Sequence, residues 1–440
     1  MRILHALSQR PEATGSGIYV RGMIREAFRA GHENFLLAGI PSGDQPQLDC
    51  LSGDQCSFVH FETGGLPFPV VGMSDVMPYP SRRFSDLSPA DLAVYEKCFS
   101  DRLAEAVGDF HPDIIHSHHL WLLTSLIKRS FPDIPVVTTC HGSDLRQFQK
   151  CRDLQSRVQS GCAGLEGIMA LSQAQKREII RLYGFAPDQV TVVGVGYHQE
   201  IFKPEPKSLP PPIEMVYAGK LSRAKGVPWM LRALSKVSEP SWRLHLIGGG
   251  AGPEKEEALS LAKSLGDRVQ VHGPLPQEKL AEIFRRSHLL ILPSFYEGLA
   301  LVLLEALACG CRLVSTNFPG LEEVLGELPG SYCRLVDLPR LKSLDTPFPE
   351  DEASFEGRLA AAIWDQINAV RQEPKMDPSL LNPILEEYSW TRVFERVEQV
   401  YLRAFNRTGL HSDTSKSNAG GRPRDRSSRG PTRRKNLKQS

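Results

Sequence analysis

Pro293-Ser294-Phe295-Tyr296-Glu297-Gly298-Leu299-Ala300-Leu301, running on to Glu305 and Gly310, is the stretch that decides the fold. The apolar run His288-Leu289-Leu290-Ile291-Leu292 before it reads as a short buried strand closed by proline. Leu299 to Ala308 is rich in Leu and Ala with no breaker before Gly310, and predicts a buried helix. The loop between them ends at a helix N-terminus, whose unpaired N–H groups hold anions such as phosphates. Glu297 falls in the loop and Glu305 about two turns into the helix, at roughly 3.6 residues per turn. That spacing puts both carboxylates on one face, within reach of one ligand's hydroxyls. A carboxylate in so apolar a helix requires a polar partner. The same spacing also fits a Glu297 that caps the helix and a Glu305 that meets a buried Arg or Lys.

Working outward, the chain repeats the strand, loop and helix pattern. Met1 to Leu7 reads as a strand, Ser8 to Gly17 as a loop containing Gly15-Ser16-Gly17, and Ile18 to Ala30 as a helix stopped by Gly31. A dinucleotide-binding unit requires an acidic residue at the end of the second strand. Phe35-Leu36-Leu37-Ala38 instead runs into Gly39-Ile40-Pro41, which argues against NAD. In the strand ending at His116-Ser117-His118, alternation puts His116 and His118 on one face. Ligands in open α/β sheets bind at the carboxyl ends of strands, so His118 is the better placed of the two. Pro135 to Cys140 is the next strand, followed by His141-Gly142-Ser143-Asp144. Glycine there lets the backbone approach a ligand, His141 can hydrogen-bond a polar group of that ligand, and Asp144 can face the site or cap the segment after it.

Lys203 to Pro212 carries five prolines and reads as a stiff linker. A second set of units starts at Ile213 to Gly219 and continues through Lys220-Leu221-Ser222-Arg223-Ala224-Lys225-Gly226. Two cations around a strand-to-helix turn are what a departing diphosphate requires, because charge builds on it in the transition state. Trp242 to Ile247 is a strand ending in Gly248-Gly249-Gly250, and Ala360–Val370 and Pro383–Phe405 read as amphipathic helices. Residues 42–95 are irregular and rich in Pro, Gly and Ser.

At 440 residues there is room for two or three domains. No apolar run approaches the roughly 20 residues of a membrane span, and Ile3 to Leu7 is too short for a signal-peptide core. The nine cysteines are odd in number and scattered. Cys309-Gly310-Cys311 has no partner set at zinc spacing, so reduced thiols in a cytoplasmic protein are expected. From Gly409 onward nine Lys or Arg stand against two Asp, a tail charge of +7 that leaves the body at −6 in a chain of net +1. The tail is the basic part; the body is no general polyanion binder.

The motif Ser294, Glu297, Gly298, Glu305, Ala306, Ala308, Gly310 resembles the E-x7-E signature of the family 4 retaining glycosyltransferases, which have the GT-B fold. Further segments carry the likeness. Asp113 to His118 resembles the family's D-x-x-H-x-H, Thr139 to Asp144 its T-x-H-G-x-D, and Gly219 to Gly226 its G-R-L-x-x-x-K-G, with Lys220 for the Arg. Lys keeps the charge but loses the bidentate fork. Gly320 to Glu323 resembles its G-x-x-E, and Tyr388-Ser389-Trp390 its terminal helix. Gly194, Val195 and His198 replace the Pro, Asn and Asp of its P-N-G-V-D, where only Gly196 is kept. The likeness spans about residues 1–405, strongest at 215–325 and loosest at 40–110.

The resemblance implies two Rossmann-like parallel-sheet domains facing across a cleft: 1–203 on the acceptor side, a linker at 204–212, and 213–380 binding the nucleotide sugar. Residues 381–407 would return to the first domain, and 408–440 would be a disordered basic tail. It implies a donor site at Gly15, Gly17, Lys220, Lys225, Gly248, Gly298, Leu299, Ala300, Leu301 and Glu305, with Glu305 on the ribose. His118, Lys225 and Glu297 would be catalytic, and His141, Gly142 and Asp144 would face the acceptor or sugar. Acceptor-binding loops are expected in 42–95. The implied reaction moves a sugar, with retention, from a UDP- or GDP-sugar to a glycan, lipid or small-molecule acceptor in the synthesis of cell-surface glycans. No cofactor is expected, and no metal either, since no D-x-D pair occurs and Lys220 and Lys225 would carry that charge. The expected location is cytoplasmic, at the inner face of a membrane where the tail meets anionic lipid; no motif supports nucleic acid. Two competitors are a glucan phosphorylase-like enzyme, which needs a pyridoxal-phosphate lysine and a longer chain, and a non-catalytic sugar- or membrane-surface binding protein of the same fold.

Overall fold

The computed structural model describes residues 1–407 apart from positions 13, 47, 76, 239, 240, 298, 299, 327, 344 and 345. Gly298, Leu299 and the basic tail 408–440 therefore lie outside the described residues.

Strands β1 (Arg2–Leu7), β2 (Glu33–Pro41) and β3 (Cys56–Phe61) precede a short parallel pair, β4 (Val71–Gly72) and β5 (Arg82–Arg83). They are followed by β6 (Ile114–His118), β7 (Val136–Thr139), β8 (Gly167–Ala170) and β9 (Val190–Val192). The first sheet has the order β3-β2-β1-β6-β7-β8-β9, parallel throughout. A second parallel sheet is built from β10 (Ile213–Ala218), β11 (Trp242–Ile247), β12 (Val269–Gly273), β13 (Leu289–Leu292), β14 (Arg312–Thr316) and β15 (Cys333–Val336). Its order is β12-β11-β10-β13-β14-β15. Central strands such as Leu289–Leu292 are buried at every residue because helices cover both faces, which is why they read as unbroken apolar runs. This is the two-sheet GT-B arrangement that the resemblance implies.

Residues 203–212 join the sheets without regular secondary structure. Lys207 fastens this segment to the second domain through Nζ bonds to the carbonyls of Phe284 (2.9 Å) and Ser287 (2.5 Å). The chain then crosses back. The helix Pro378–Glu387 ends before Tyr388-Ser389, and the helix Trp390–Arg407 lies on the first domain, burying Val393, Phe394, Val397, Val400 and Tyr401. Trp390 seats it: a Cβ at Gly22 or Gly196 would run into the indole ring. The second crossing touches the chain just ahead of the first, where Tyr197 pairs with Ser389. Across the cleft, Glu323 accepts from the backbone N–H groups of Gln173 (2.6 Å) and Ala174 (2.9 Å), at the start of the helix Gln173–Tyr183.

The irregular reading of 42–95 differs from the structure at the short pair β4 and β5 and, more substantially, at two longer elements. Cys56–Phe61 is the edge strand of the first sheet, and its outer residues stay partly exposed, so no continuous apolar run marks it. The helix Pro89–Phe110 begins inside the stretch, with Ser88 as N-cap and Asp91 closing a capping box. No helix among the described residues is long and apolar enough to cross a membrane.

Candidate functional site

The carboxyl edges of the two sheets face a single cleft, which holds a cavity of about 950 Å³. On the second-domain side its floor is two strand-end loops in contact. Gly248, after β11, has φ +139°, and a Cβ there would overlap the carbonyl oxygen of Gly219, after β10. Gly226, at φ +70°, lies equally close to the carbonyl of Pro293, so the lysine turn is locked against the Glu297 loop.

That lock brings the charges together. Lys225 Nζ lies 2.6 Å from Glu297 Oε1, with the lysine side chain 24% and the glutamate 13% exposed. Lys220 lines the same wall. Burial, then the charge of Lys225, pushes its amine down to about 7, against the pull of Glu297. Glu305, on the helix Leu301–Ala308, accepts from the amide of Gln277 (3.2 Å), and burial pushes its carboxyl up to about 8. So Glu297 does not cap the helix, and the partner of Glu305 is an amide rather than a cation. Gln277 had no signal in the sequence beyond starting a helix.

The first-domain side is formed by the start of the helix Gly15–Arg29 and by the loops after β1, β7 and β8, through Gln9, His141 and Leu171. Gly15 lines the cavity. Gly17 does not: a Cβ there would sit 2.7 Å from the backbone of Pro11, so this glycine serves the folding of its own loop. His141 lines the cavity, and burial pushes its ring down to about 3, which keeps it neutral.

His118 is off the wall and fully buried, its Nδ1 3.4 Å from Nε2 of His141. Alternation does pair it with His116, but the helix Trp390–Arg407 and the ring of Tyr19 cover that face. Asp144 is also off the wall. It is fully buried and accepts from the N–H of Leu120 (2.8 Å), the N–H of His141 (3.1 Å) and the thiol of Cys140 (3.3 Å), tying the loop after β6 to the loop after β7. Burial raises its carboxyl above the usual range, against those bonds. Gly142, at φ +89°, offers its carbonyl to the hydroxyl of Tyr296 (2.9 Å), a bond across the cleft.

The structure thus gathers Gly15, His141, Lys220, Lys225, Gly248, Glu297, Ala300, Leu301 and Glu305 around one cavity and leaves Gly17, His118, Gly142 and Asp144 behind its walls. It adds residues the sequence reading passed over. Asp75, from the irregular stretch, binds both Arg146 (2.9 Å) and Lys150 (2.6 Å), which sit one turn apart on the helix Ser143–Lys150. Met73, Ser74, Met77 and Pro78 line the cavity beside them. Arg82 and Arg83 face Asp91 and Asp86 instead.

The raised Glu305 carboxyl has a measurable sign. Between about 4.5 and 8 the folded chain keeps a proton that the unfolded chain has lost, so this group makes stability fall as pH rises through that window. Glu305→Gln removes the proton binding. Its melting temperature is expected to gain on the wild type from pH 5 to pH 8 without ligand; a constant difference across that range would contradict the buried-carboxyl account.

Residues 13–200 match the model described as Glycosyltransferase Family 4, and residues 198–330 the model described as Glycosyl transferases group 1. The chain is 25% identical over 420 residues to a glycogen synthase of Mycobacterium tuberculosis, covering 92% of this chain and 95% of that one. It is 24% identical over 435 residues to an MMP alpha-(1->4)-mannosyltransferase of Mycolicibacterium hassiacum, covering 92% and 99%. Among solved structures it is similar to a sucrose-phosphate synthase from Thermosynechococcus elongatus (TM-score 0.67, 18% identity, 92% and 100% covered). It is also similar to Alr3699/HepE of Anabaena in complex with UDP-glucose (TM-score 0.62, 16% identity, 91% and 98% covered).

Proposed function

This chain belongs to the family 4 glycosyltransferases, with the GT-B fold, and from that premise we propose that it moves a sugar with retention of configuration from a UDP- or GDP-sugar to a glycan, lipid or small-molecule acceptor, without a metal at the diphosphate. The observation that carries the reading is the convergence of Lys220 and Lys225 with Glu297 and Glu305 on one wall of the cleft. In the transfer the bond from the anomeric carbon to the donor phosphate breaks and a bond to the acceptor oxygen forms. The acceptor's proton leaves with the nucleoside diphosphate. Two ammonium groups held in a partly desolvated wall stabilise the charge that builds on that leaving group. Lys225 does so while paired with Glu297, which fixes its position before the donor arrives. Glu305, two turns into its helix, is the residue for the ribose hydroxyls, and Gln277 holds it. The neutral ring of His141 faces from the acceptor side, where it hydrogen-bonds a hydroxyl without adding charge.

The test is protection from melting and donor hydrolysis across UDP-, GDP- and ADP-sugars, with and without brief EDTA treatment. One stabilising donor is expected, with hydrolysis unchanged by EDTA and stabilisation lost in Glu305→Ala. If no donor stabilises the protein, the proposal fails.

A further inference from the structure

Behind the acceptor-side wall lies a group of side chains that the transfer does not use. In the first sheet, β1 and β6 run in parallel register with His5 opposite His116 and Leu7 opposite His118. Residues two apart on a strand share a face, so His116 and His118 project together, and His5 joins them from the next strand. All three are fully buried, and one ring nitrogen of each lies within 4.8 Å of the others.

Each ring has one nitrogen held from outside the cluster. His5 Nε2 meets Asn34 Oδ1 (3.1 Å), His116 Nδ1 meets the hydroxyl of Tyr401 (2.7 Å), and His118 Nδ1 meets His141 Nε2 (3.4 Å). Among the described residues the opposite nitrogens of His5 and His118 have no hydrogen-bond partner. That of His116 meets the hydroxyl of Thr139 (2.8 Å). Leaving buried polar atoms unpaired costs free energy. Imidazoles fixed through one nitrogen, with the other aimed inward, are the usual arrangement around a bound transition metal.

We propose that His5, His116 and His118 form a buried three-imidazole site for a single first-row transition-metal ion, bridging β1 and β6. An all-nitrogen donor set suits copper or zinc and excludes calcium and magnesium, which need oxygen ligands. None of the three donors is a carboxylate or thiolate, so nothing in the set neutralises the ion's charge, and a monovalent ion such as Cu⁺ is less costly to bury there than Zn²⁺. The hydroxyl of Thr139 turns away from His116 on binding. The ion sits behind His141 rather than at the diphosphate, so the inference stands apart from the proposed reaction.

The full-length protein is stripped with chelator, loaded separately with Zn²⁺ and with Cu⁺ under reducing conditions, and desalted. Metal content, the X-ray absorption spectrum and the melting temperature are then measured. The expected result is one retained ion per chain with a first shell of imidazole nitrogens and a raised melting temperature. In His5→Gln, which can still meet Asn34, affinity should fall by about 10–100-fold. His272→Ala, which removes a half-exposed histidine outside the cluster, should retain the ion. Failure to retain either ion in the wild type, an oxygen-rich first shell, or loss of the ion in His272→Ala overturns the proposal. The wild-type spectrum decides even if His5→Gln misfolds.

Discussion

Lys225→Ala is expected to lower kcat/KM for transfer by about 10²–10³-fold, the usual consequence of removing one preorganised donor from a charge that develops in the transition state. The loss should fall mainly on kcat, because a group that acts on the leaving diphosphate contributes more as the bond breaks than in the ground-state complex. The variant also strands Glu297, whose side chain is only 13% exposed, so part of any loss in melting temperature comes from an unpaired carboxylate. Lys225→Ala with Glu297→Gln separates the two effects: stability should return and kcat should not. The neighbouring lysine adds a pH signature. Lys225 helps to push the Lys220 amine down to about 7, so in the free wild-type enzyme Lys220 loses its proton near neutrality. Removing Lys225 takes away the second of the causes that lower it, so more of Lys220 stays charged at pH 8 than in the wild type. The defect in kcat/KM, which reports on the free enzyme, should therefore be larger at pH 6 than at pH 8. An unchanged kcat in Lys225→Ala would remove this residue from the chemistry.

The second large effect is expected from a single methyl group. Gly248→Ala places a Cβ at φ +139°, a conformation that costs about 1–3 kcal/mol for a residue with a side chain. The same Cβ overlaps the carbonyl of Gly219, and overpacking adds a similar amount. The two strand-end loops must part, and the Lys220 turn goes with them. Donor affinity by calorimetry and melting temperature should both fall. Gly249→Ala is the matched control, since its Cβ would meet nothing nearer than Pro274 at 4.0 Å. Equal behaviour of the two variants would mean that the contact between the loops does not shape the donor wall.

The centre of the second sheet was legible because strands such as β10, β13 and β14 are buried on both faces and its turns carry glycines that the backbone geometry requires. The edge strand Cys56–Phe61 was not, because a half-exposed strand leaves only a broken alternation. His118 shows a different limit. Alternation gives the face of the sheet on which a side chain stands but not what covers that face, and here the cover includes Tyr401, from the far end of the chain. Asp144 was open between two roles in the sequence, and three donors from the loops after β6 and β7 fix it as a tie. The Glu297–Lys225 pair joins residues 72 positions apart, and nothing in either motif announces the other.

The chain passes between its two halves twice, at 203–212 and again at Tyr388-Ser389, and the second passage is stitched to the first domain a few residues ahead of the first, where Tyr197 meets Ser389. A single tether would behave as a swivel, leaving each half free to turn in any direction. Two tethers fastened side by side behave as the pins of a door. They leave one easy rotation, about the line through both, and resist twist and sideways slip. A rotation that parted the two halves would break the Glu323 and Tyr296 bonds across the cleft.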